Sequence, residues 1–176
     1  AGYGITSGCF NTHVGFGAGL CAGGACNQTF IGRYAGCRST GNYSVALGAL
    51  AGCYGQNEAS ISIGGLAGRG GAGCCNINIG YEAGCTMLGN DNINIGRRAF
   101  FYNISGHCNI AMGLCAGYCM AGALCNIVIG TCAGFRTGAA QNAVFIGTGA
   151  GLCNTTGSDN IFIGKYAGCC LDRKST

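Results

Sequence analysis

The chain has 176 residues, of which 37 are Gly and 16 are Cys, while Pro and Trp are absent. Only 8% of the residues are charged, and the formal net charge is +4. An ordinary soluble domain has about 25% charged residues, so backbone amides and small polar side chains must supply most of the surface. The basic residues are scattered, which argues against a nucleic-acid partner because that requires a clustered basic face. No apolar run approaches the ~18 residues of a membrane-spanning helix.

One sequence motif is repeated ten times along the chain. It consists of two apolar residues in alternation, an anchoring Gly, two variable residues, then Ala and usually Gly, as in residues 76–84 and 126–134. The spacing between successive anchors is 16 or 17 residues, and a period this strict predicts a stack of similar units that contact only their neighbours. The anchors are Gly15, Gly32, Gly48, Gly64, Gly80, Gly96, Gly113, Gly130, Gly147 and Gly164.

Each repeat begins with a predicted strand. The residues one and three positions before the anchor are mostly β-branched, and this alternation predicts a short strand with one face buried. In chain order the predicted strands cover 12–14, 29–31, 45–47, 61–63, 77–79, 93–95, 110–112, 127–129, 144–146 and 161–163. The middle residue varies from Asn78 to Ala111 to Phe162, as expected for a position that faces outward or lies in an interface.

The remainder of each repeat is rich in residues that favour turns. Ala stands three positions after every anchor, and Gly follows it in all repeats but one, where Phe100 replaces it. Stacked Asn side chains four positions before the anchor are expected to hydrogen-bond to each other along the stack. These Asn residues are Asn11, Asn76, Asn92, Asn109, Asn126 and Asn160. We therefore expect each coil to contain a strand, a Gly corner, a short second extended stretch around the Ala, and a variable turn.

No segment has helical periodicity with capping residues. The sequence therefore predicts an all-β protein, a parallel β-solenoid or β-roll of about ten 16–17-residue coils, with essentially no helix. Residues 1–176 are expected to form a single solenoid domain without a capping domain.

Several repeats resemble those of known fibre proteins. Residues 44–51, 109–113 and 142–147 resemble the head repeats of trimeric autotransporter adhesins, and the N-x-x-I-G-x-x-A-G pattern is similar to repeats of bacteriophage tail-fibre proteins. The resemblance covers nearly the whole chain and implies a parallel β-roll, often trimeric, that serves as the shaft or head of an attachment fibre. Two features differ, since the coils are longer than the usual adhesin repeat and the Cys content is foreign to it. The resemblance transfers no functional residue.

The Cys residues indicate disulfides and an extracellular, oxidising location. No two of them are three positions apart, so the C-x-x-C spacing of zinc and iron–sulfur sites is absent. Equivalent residues of adjacent coils should have Cα atoms about 4.8 Å apart, within the range for a disulfide, and each bridge would stabilise the fold by roughly 3 kcal/mol. The in-phase pairs are Cys9 with Cys26, Cys37 with Cys53, Cys108 with Cys125, Cys115 with Cys132, and Cys153 with Cys170. Free buried thiols and interchain bridges remain alternatives.

Motifs of other protein classes are weakly represented. Residues 68–73 match the dinucleotide-binding pattern G-x-G-x-x-G and Asp91 follows at a suitable distance, but residues 74–76 lead into a predicted strand instead of the required helix. An ice-binding face would need the same Thr position in every coil; Thr12 and Thr29 satisfy this, and the next coils have Val or Ile. The sequence thus predicts no enzyme and no cofactor.

We expect a non-catalytic structural protein that forms the disulfide-reinforced shaft of an extracellular or virion fibre and serves attachment. Its expected partners are copies of itself, in a trimeric fibre or in a head-to-tail filament with Cys169 or Cys170 meeting Cys9 across the junction. The reason for the filament is that residues 1–2 start within a coil and only six residues follow Cys170.

The alternative function is a module that binds a cell-surface glycan or receptor. It would use aromatic side chains at the predicted outward strand positions, namely His13, Phe30, Phe145 and Phe162.

Overall fold

The computed structural model describes residues 1–102, 105–153 and 157–169, and these form a parallel β-solenoid. Ten three-residue strands lie in one parallel sheet in chain order, and no helix occurs in the described residues. The strands are β1 (Thr12–Val14), β2 (Thr29–Ile31), β3 (Val45–Leu47), β4 (Ile61–Ile63), β5 (Ile77–Ile79), β6 (Ile93–Ile95), β7 (Ile110–Met112), β8 (Ile127–Ile129), β9 (Val144–Ile146) and β10 (Ile161–Ile163). The predicted strands and the predicted fold class are confirmed.

The strands pair in the same register throughout, so equivalent residues of successive coils lie side by side. Asn78 of β5 is opposite Asn94 of β6, for example, and Val128 of β8 is opposite Phe145 of β9. Each position of the repeat therefore becomes a column of side chains parallel to the long axis of the stack. We name a column by its offset from the anchoring Gly.

The middle residue of the strand faces the interior, so the predicted orientation of the strands is wrong. The middle residues of β2 to β9 are buried, whereas flanking residues such as Ile31 (43% exposed) and Ile127 (37% exposed) are not. The physical reason is the narrowness of the coil, which accepts one inward side chain per strand and leaves the other two on the outer face. The buried residues are Phe30, Ala46, Ser62, Asn78, Asn94, Ala111, Val128 and Phe145.

The Ala and Gly that follow each anchor leave room for this inward side chain. The Ala side chain is fully buried in the first nine repeats, from Ala18 to Ala150. A Cβ atom added to Gly36 would collide with the ring of Phe30, and one added to Gly84 would collide with the amide of Asn78. Phe100, which replaces this Gly in the sixth repeat, is itself buried in a cluster with Ala111 of the next strand. A large residue thus fills the interior where the inward residue is small.

The segment after each anchor consists of turns, so the predicted second extended stretch is wrong. The Ala83 N–H donates to the carbonyl oxygen of Gly80 at 3.3 Å, and Gly84 donates to Ala99 of the next coil at 2.9 Å. Left-handed backbone conformations make these tight reversals possible. Gly80 has φ +131° and Glu82 has φ +57°. A coil of 16 residues closes only with such reversals, because an extended second stretch would carry the chain away from the next strand.

The predicted Asn stack is confirmed from Asn76 to Asn126, and it ends there because Ala143 stands between Asn126 and Asn160. The amide Nδ2 of Asn109 donates to Oδ1 of Asn92 at 3.0 Å, and Asn126 donates to Asn109 in the same way at 3.0 Å. Each Oδ1 also accepts the backbone N–H of the next coil, as in Asn126 to Asn109 at 2.9 Å. The second N–H of Asn109 reaches the carbonyl oxygen of Ala123 at 2.8 Å. Buried amides can be tolerated here because each one is paired with its equivalent in the neighbouring coil.

Candidate functional site

The outer face of the sheet carries two columns of aliphatic side chains, at offsets −3 and −1. We call the outward residues of β3 to β10 the aliphatic face. These residues are Val45, Leu47, Ile61, Ile63, Ile77, Ile79, Ile93, Ile95, Ile110, Met112, Ile127, Ile129, Val144, Ile146, Ile161 and Ile163. The face contains no charged or polar side chain over eight strands, a length of about 34 Å at 4.8 Å per strand. Most of these side chains are half-buried in the single chain, and five are exposed, namely Ile61, Met112, Ile127, Ile161 and Ile163. Apolar surfaces of this extent are typical of interaction surfaces.

Cys9 and Cys26 are the first of the predicted pairs, and the structure holds them as neighbouring free thiols. The Sγ atoms of Cys9 and Cys26 lie 2.9 Å apart, and the Cys9 backbone N–H donates to the Cys26 sulfur at 3.1 Å. The thiol–thiol hydrogen bond raises the pKa of Cys9 and lowers the pKa of Cys26.

A second pair lies beneath the surface. The Cys37 and Cys53 side chains are buried, and their thiols hydrogen-bond to each other. Burial, with the neighbouring Cys37, raises the pKa of Cys53 to about 12. Cys85 occupies the same column two coils further on, and burial also raises its pKa. These positions were predicted to flank the variable loop, and the structure places their side chains inside the coil.

Two further pairs are neighbours on the surface. Cys108 lies beside Cys125, and loss of hydration together with that neighbour raises the pKa of Cys108. Burial and the nearby Cys115 raise the pKa of Cys132. The predicted pair of Cys153 with Cys170 lies partly outside the described residues, because Cys170 is not among them.

The aromatic residues proposed for glycan binding lie in the interior, so that part of the alternative is wrong. Phe30 and Phe145 are buried. The ring of His13 stacks on Phe30 with centroids 4.9 Å apart, and Phe162 stacks on Phe145 at 5.4 Å. Burial lowers the pKa of His13, which keeps the stacked imidazole neutral.

Another aromatic column, at offset +5 on the turn side, was not identified from the sequence. Phe101, Tyr118 and Phe135 stack face to face, with centroids 5.4 and 4.9 Å apart. An alignment of the ten repeats reveals this column, because residues with the same offset become neighbours when the coils stack in register. The earlier coils carry thiols, arginines and tyrosines in the same two columns.

The dinucleotide-like motif has no supporting geometry. Residues 68–73 form a turn and a loop that lead into β5, so no helix follows them. Among the described residues, no group of three or more His, Cys, Asp or Glu side chains could hold a metal ion. The part of the chain that the structure describes also contains no helix long and apolar enough to cross a bilayer.

No protein-family model matches the chain, and no curated protein and no solved structure matches it either. Its function must therefore be inferred from its own surfaces.

Proposed function

We propose that this chain is a non-catalytic structural protein that forms the shaft of an extracellular or virion fibre, reinforced by disulfides. The observation that carries the proposal is the aliphatic face, a periodic apolar surface on the outside of the coil. Covering it removes apolar area from water, which is the main source of free energy in protein association.

The partner that fits this face best is a second copy of the chain. The aliphatic columns repeat at the strand spacing of about 4.8 Å, and a copy of the same solenoid presents side chains with that same period. A face made only of Val, Leu, Ile and Met offers no hydrogen-bonding group or charge by which a chemically different partner would be selected. Association of copies, as in a trimeric fibre, extends the structure without requiring any other component.

Disulfides between adjacent coils give the fibre its proposed resistance to unfolding. The pairs Cys9–Cys26, Cys37–Cys53, Cys108–Cys125 and Cys115–Cys132 bring thiols of neighbouring coils together. Oxidation of each pair releases two protons and two electrons to the oxidising environment outside the cell. Attachment of the fibre to a surface is the role that agrees with the resemblance to adhesin and tail-fibre repeats.

Sedimentation of the native protein tests the association. We expect a species of several chains, whereas a variant with Ile79→Lys and Ile95→Lys on the aliphatic face should sediment as a chain of 17.5 kDa. The matched control places two Lys residues at exposed positions away from the face, Gln56→Lys and Ala139→Lys, and should remain associated. A native protein that stays at 17.5 kDa when concentrated would overturn the proposal.

Titration of thiols tests the disulfides. In protein purified from an oxidising compartment and denatured without reductant, most of the 16 Cys residues should not react. Reaction of the majority would show that the network does not exist. The aliphatic-face variants should give the same count as the native protein, because those substitutions leave every Cys in place.

A further inference from the structure

A groove with several arginines lies on the turn side of the first three coils. Its cavity of about 360 Å³ is lined by Leu20, Arg33, Tyr34, Cys37, Arg38, Leu50, Cys53 and Tyr54. We call this surface, together with Arg69 of the next coil, the arginine–tyrosine groove. It is built from residues at offsets +1, +2, +5 and +6, and so it is separate from the strands that form the aliphatic face.

The arginines of the groove are held against tyrosine rings. The Arg38 and Arg69 guanidinium carbons lie 5.6 and 5.8 Å from the centroid of the Tyr54 ring, and Arg33 lies 5.8 Å from that of Tyr34. Arg38, Tyr54 and Arg69 belong to successive coils, so the two cations flank the tyrosine along the stack. Cation–π contacts of this length fix the planar guanidinium groups and leave their N–H edges free for a ligand.

The three positive charges are not neutralised by the protein. Among the described residues, Arg33, Arg38 and Arg69 have no carboxylate within ion-pair distance, and the ion pair that is present joins Arg98 to Glu82 at 2.6 Å. The sulfur of Cys53 beneath the groove adds no negative charge, because burial raises the pKa of the thiol to about 12 and the proposed disulfide with Cys37 is uncharged. The groove therefore concentrates positive potential that an anionic ligand can satisfy.

We infer that the arginine–tyrosine groove binds an acidic polysaccharide through its sulfate or carboxylate groups. Arg38 and Arg69 come from coils that are two apart, about 10 Å along the backbone stack at 4.8 Å per coil, and a ligand that contacts both must span the distance between their guanidinium groups. A chain with charges at intervals can do so, and guanidinium groups bind such oxyanions through paired N–H donors.

Single-stranded nucleic acid is a poorer fit to the same groove. Proteins bind it by stacking bases on open aromatic faces, and here Arg38 and Arg69 already occupy the Tyr54 ring. Tyr34 is contacted by Arg33 and by the edge of Phe16, whose centroid is 5.3 Å away. The groove offers cations but no free stacking platform.

Binding to immobilised dextran sulfate and polygalacturonate tests the inference, with neutral dextran and a single-stranded oligothymidine as comparison probes. We expect the native protein to bind at least one of the two acidic polysaccharides in about 0.15 M salt and to ignore neutral dextran. Sulfate or carboxylate preference is then read from which of the two binds. Binding to neither, or equally tight binding to oligothymidine, would contradict the inference.

The matched variants separate a specific groove from general positive charge. Arg38→Gln with Arg69→Gln should weaken binding at least about tenfold, because two charged hydrogen-bond donors are lost. Arg97→Gln with Arg136→Gln removes the same charge from exposed sites elsewhere and should change binding less than about threefold. An equal loss in both variants would show that only net charge matters.

The inference does not depend on the proposed fibre, and sedimentation of the same samples keeps the two apart. Both arginine variants should retain the association state of the native protein, because the aliphatic face is unchanged. A groove variant that has dissociated or unfolded would contradict the assignment of these arginines to a ligand surface.

Discussion

The inward and outward residues of the same strands differ in an unexpected way. The inward column contains Ser62, Asn78, Val128 and Phe145, which are chemically diverse and all buried. The outward columns are almost uniformly aliphatic, although a single coil stack leaves them partly exposed. Diversity is possible inside where adjacent coils compensate for each other, whereas the uniformity outside suits the association of copies proposed above.

The interior itself shows how this compensation works. Two hydrophobic clusters, one around Phe30 and one around Val128, are separated along the stack by Ser62, Asn78 and Asn94. Asn94 donates to Asn78 at 2.8 Å and to the sulfur of Met87 at 3.6 Å. Its Oδ1 faces Ala111 of the next coil and has no hydrogen-bond partner among the described residues, so compensation by neighbouring coils is partial.

The largest effect is expected from a charge placed on the inward side of a strand. Val128→Asp buries a carboxylate without a partner and should cost about 4 kcal/mol or more of folding free energy, enough to unfold the region. Ile127→Asp, on the adjacent outward position, should cost less than about 1 kcal/mol in the dissociated chain. Denaturant unfolding followed by circular dichroism measures both, and equal losses would refute the assignment of faces.

A smaller loss is expected when the column of paired amides is broken. Asn109→Leu removes the acceptor for Asn126 and the donor to Asn92 and leaves several buried polar groups without partners. We expect destabilisation of about 3 kcal/mol, against less than about 0.5 kcal/mol for Gln56→Leu at an exposed position. Similar unfolding midpoints for these two variants would show that the amide pairs contribute little.

Substitution of two glycines by Ala compares the stability cost of an added methyl group in the crowded interior with its cost at the open surface. Gly84→Ala forces a methyl group onto Asn78 at φ +56° and should cost about 3 kcal/mol. Gly70→Ala has φ +71°, and its nearest neighbour would be a methyl of Thr86 at 3.8 Å, so only backbone strain of about 1 kcal/mol is expected. Thermal or denaturant unfolding of the pair measures the difference, and its absence would argue against tight packing beneath the inward column.

The smallest effect concerns the buried thiols in the reduced protein. Burial raises the pKa of Cys53 to about 12 in the folded protein, from an ordinary value of 9.0. Between these values the unfolded chain loses a proton that the folded chain keeps, so stability should fall as pH rises from about 9 to about 12. The free energy of unfolding, measured at a series of pH values, should decline less steeply with pH for Cys53→Ala than for the native protein. Identical slopes for the two proteins would mean that Cys53 titrates normally.

The periodic features of the structure could be predicted from the sequence. The spacing of anchors such as Gly80 and Gly96 gave the strands and their register, and the Asn column followed from register alone. The burial of the strand faces could not be predicted, because alternation in a three-residue strand defines two faces without saying which is inside. Hydrophobicity then favoured the wrong face, since Ile77 and Ile79 flank the buried Asn78.

The turns and the groove were missed for a related reason. Glu82 and Tyr34 adopt left-handed conformations, yet neither residue type favours them, so nothing in these residues indicated that the stretch around the Ala turns instead of extending. Arg38, Tyr54 and Arg69 are far apart in sequence and isolated in their own repeats. Only comparison of the +5 and +6 columns across coils brings them together.

Oxidation of the methionines by peroxide tests most directly whether the aliphatic face is covered. Met112 lies on that face and is 37% exposed in the single chain, whereas Met87 and Met120 are buried. Under the proposed association, mass spectrometry of the native protein should find all three equally protected, and Met112 should become the fastest to oxidise in the Ile79→Lys, Ile95→Lys variant. Rapid oxidation of Met112 in the native protein, with Met87 and Met120 still protected, would show that nothing covers the face.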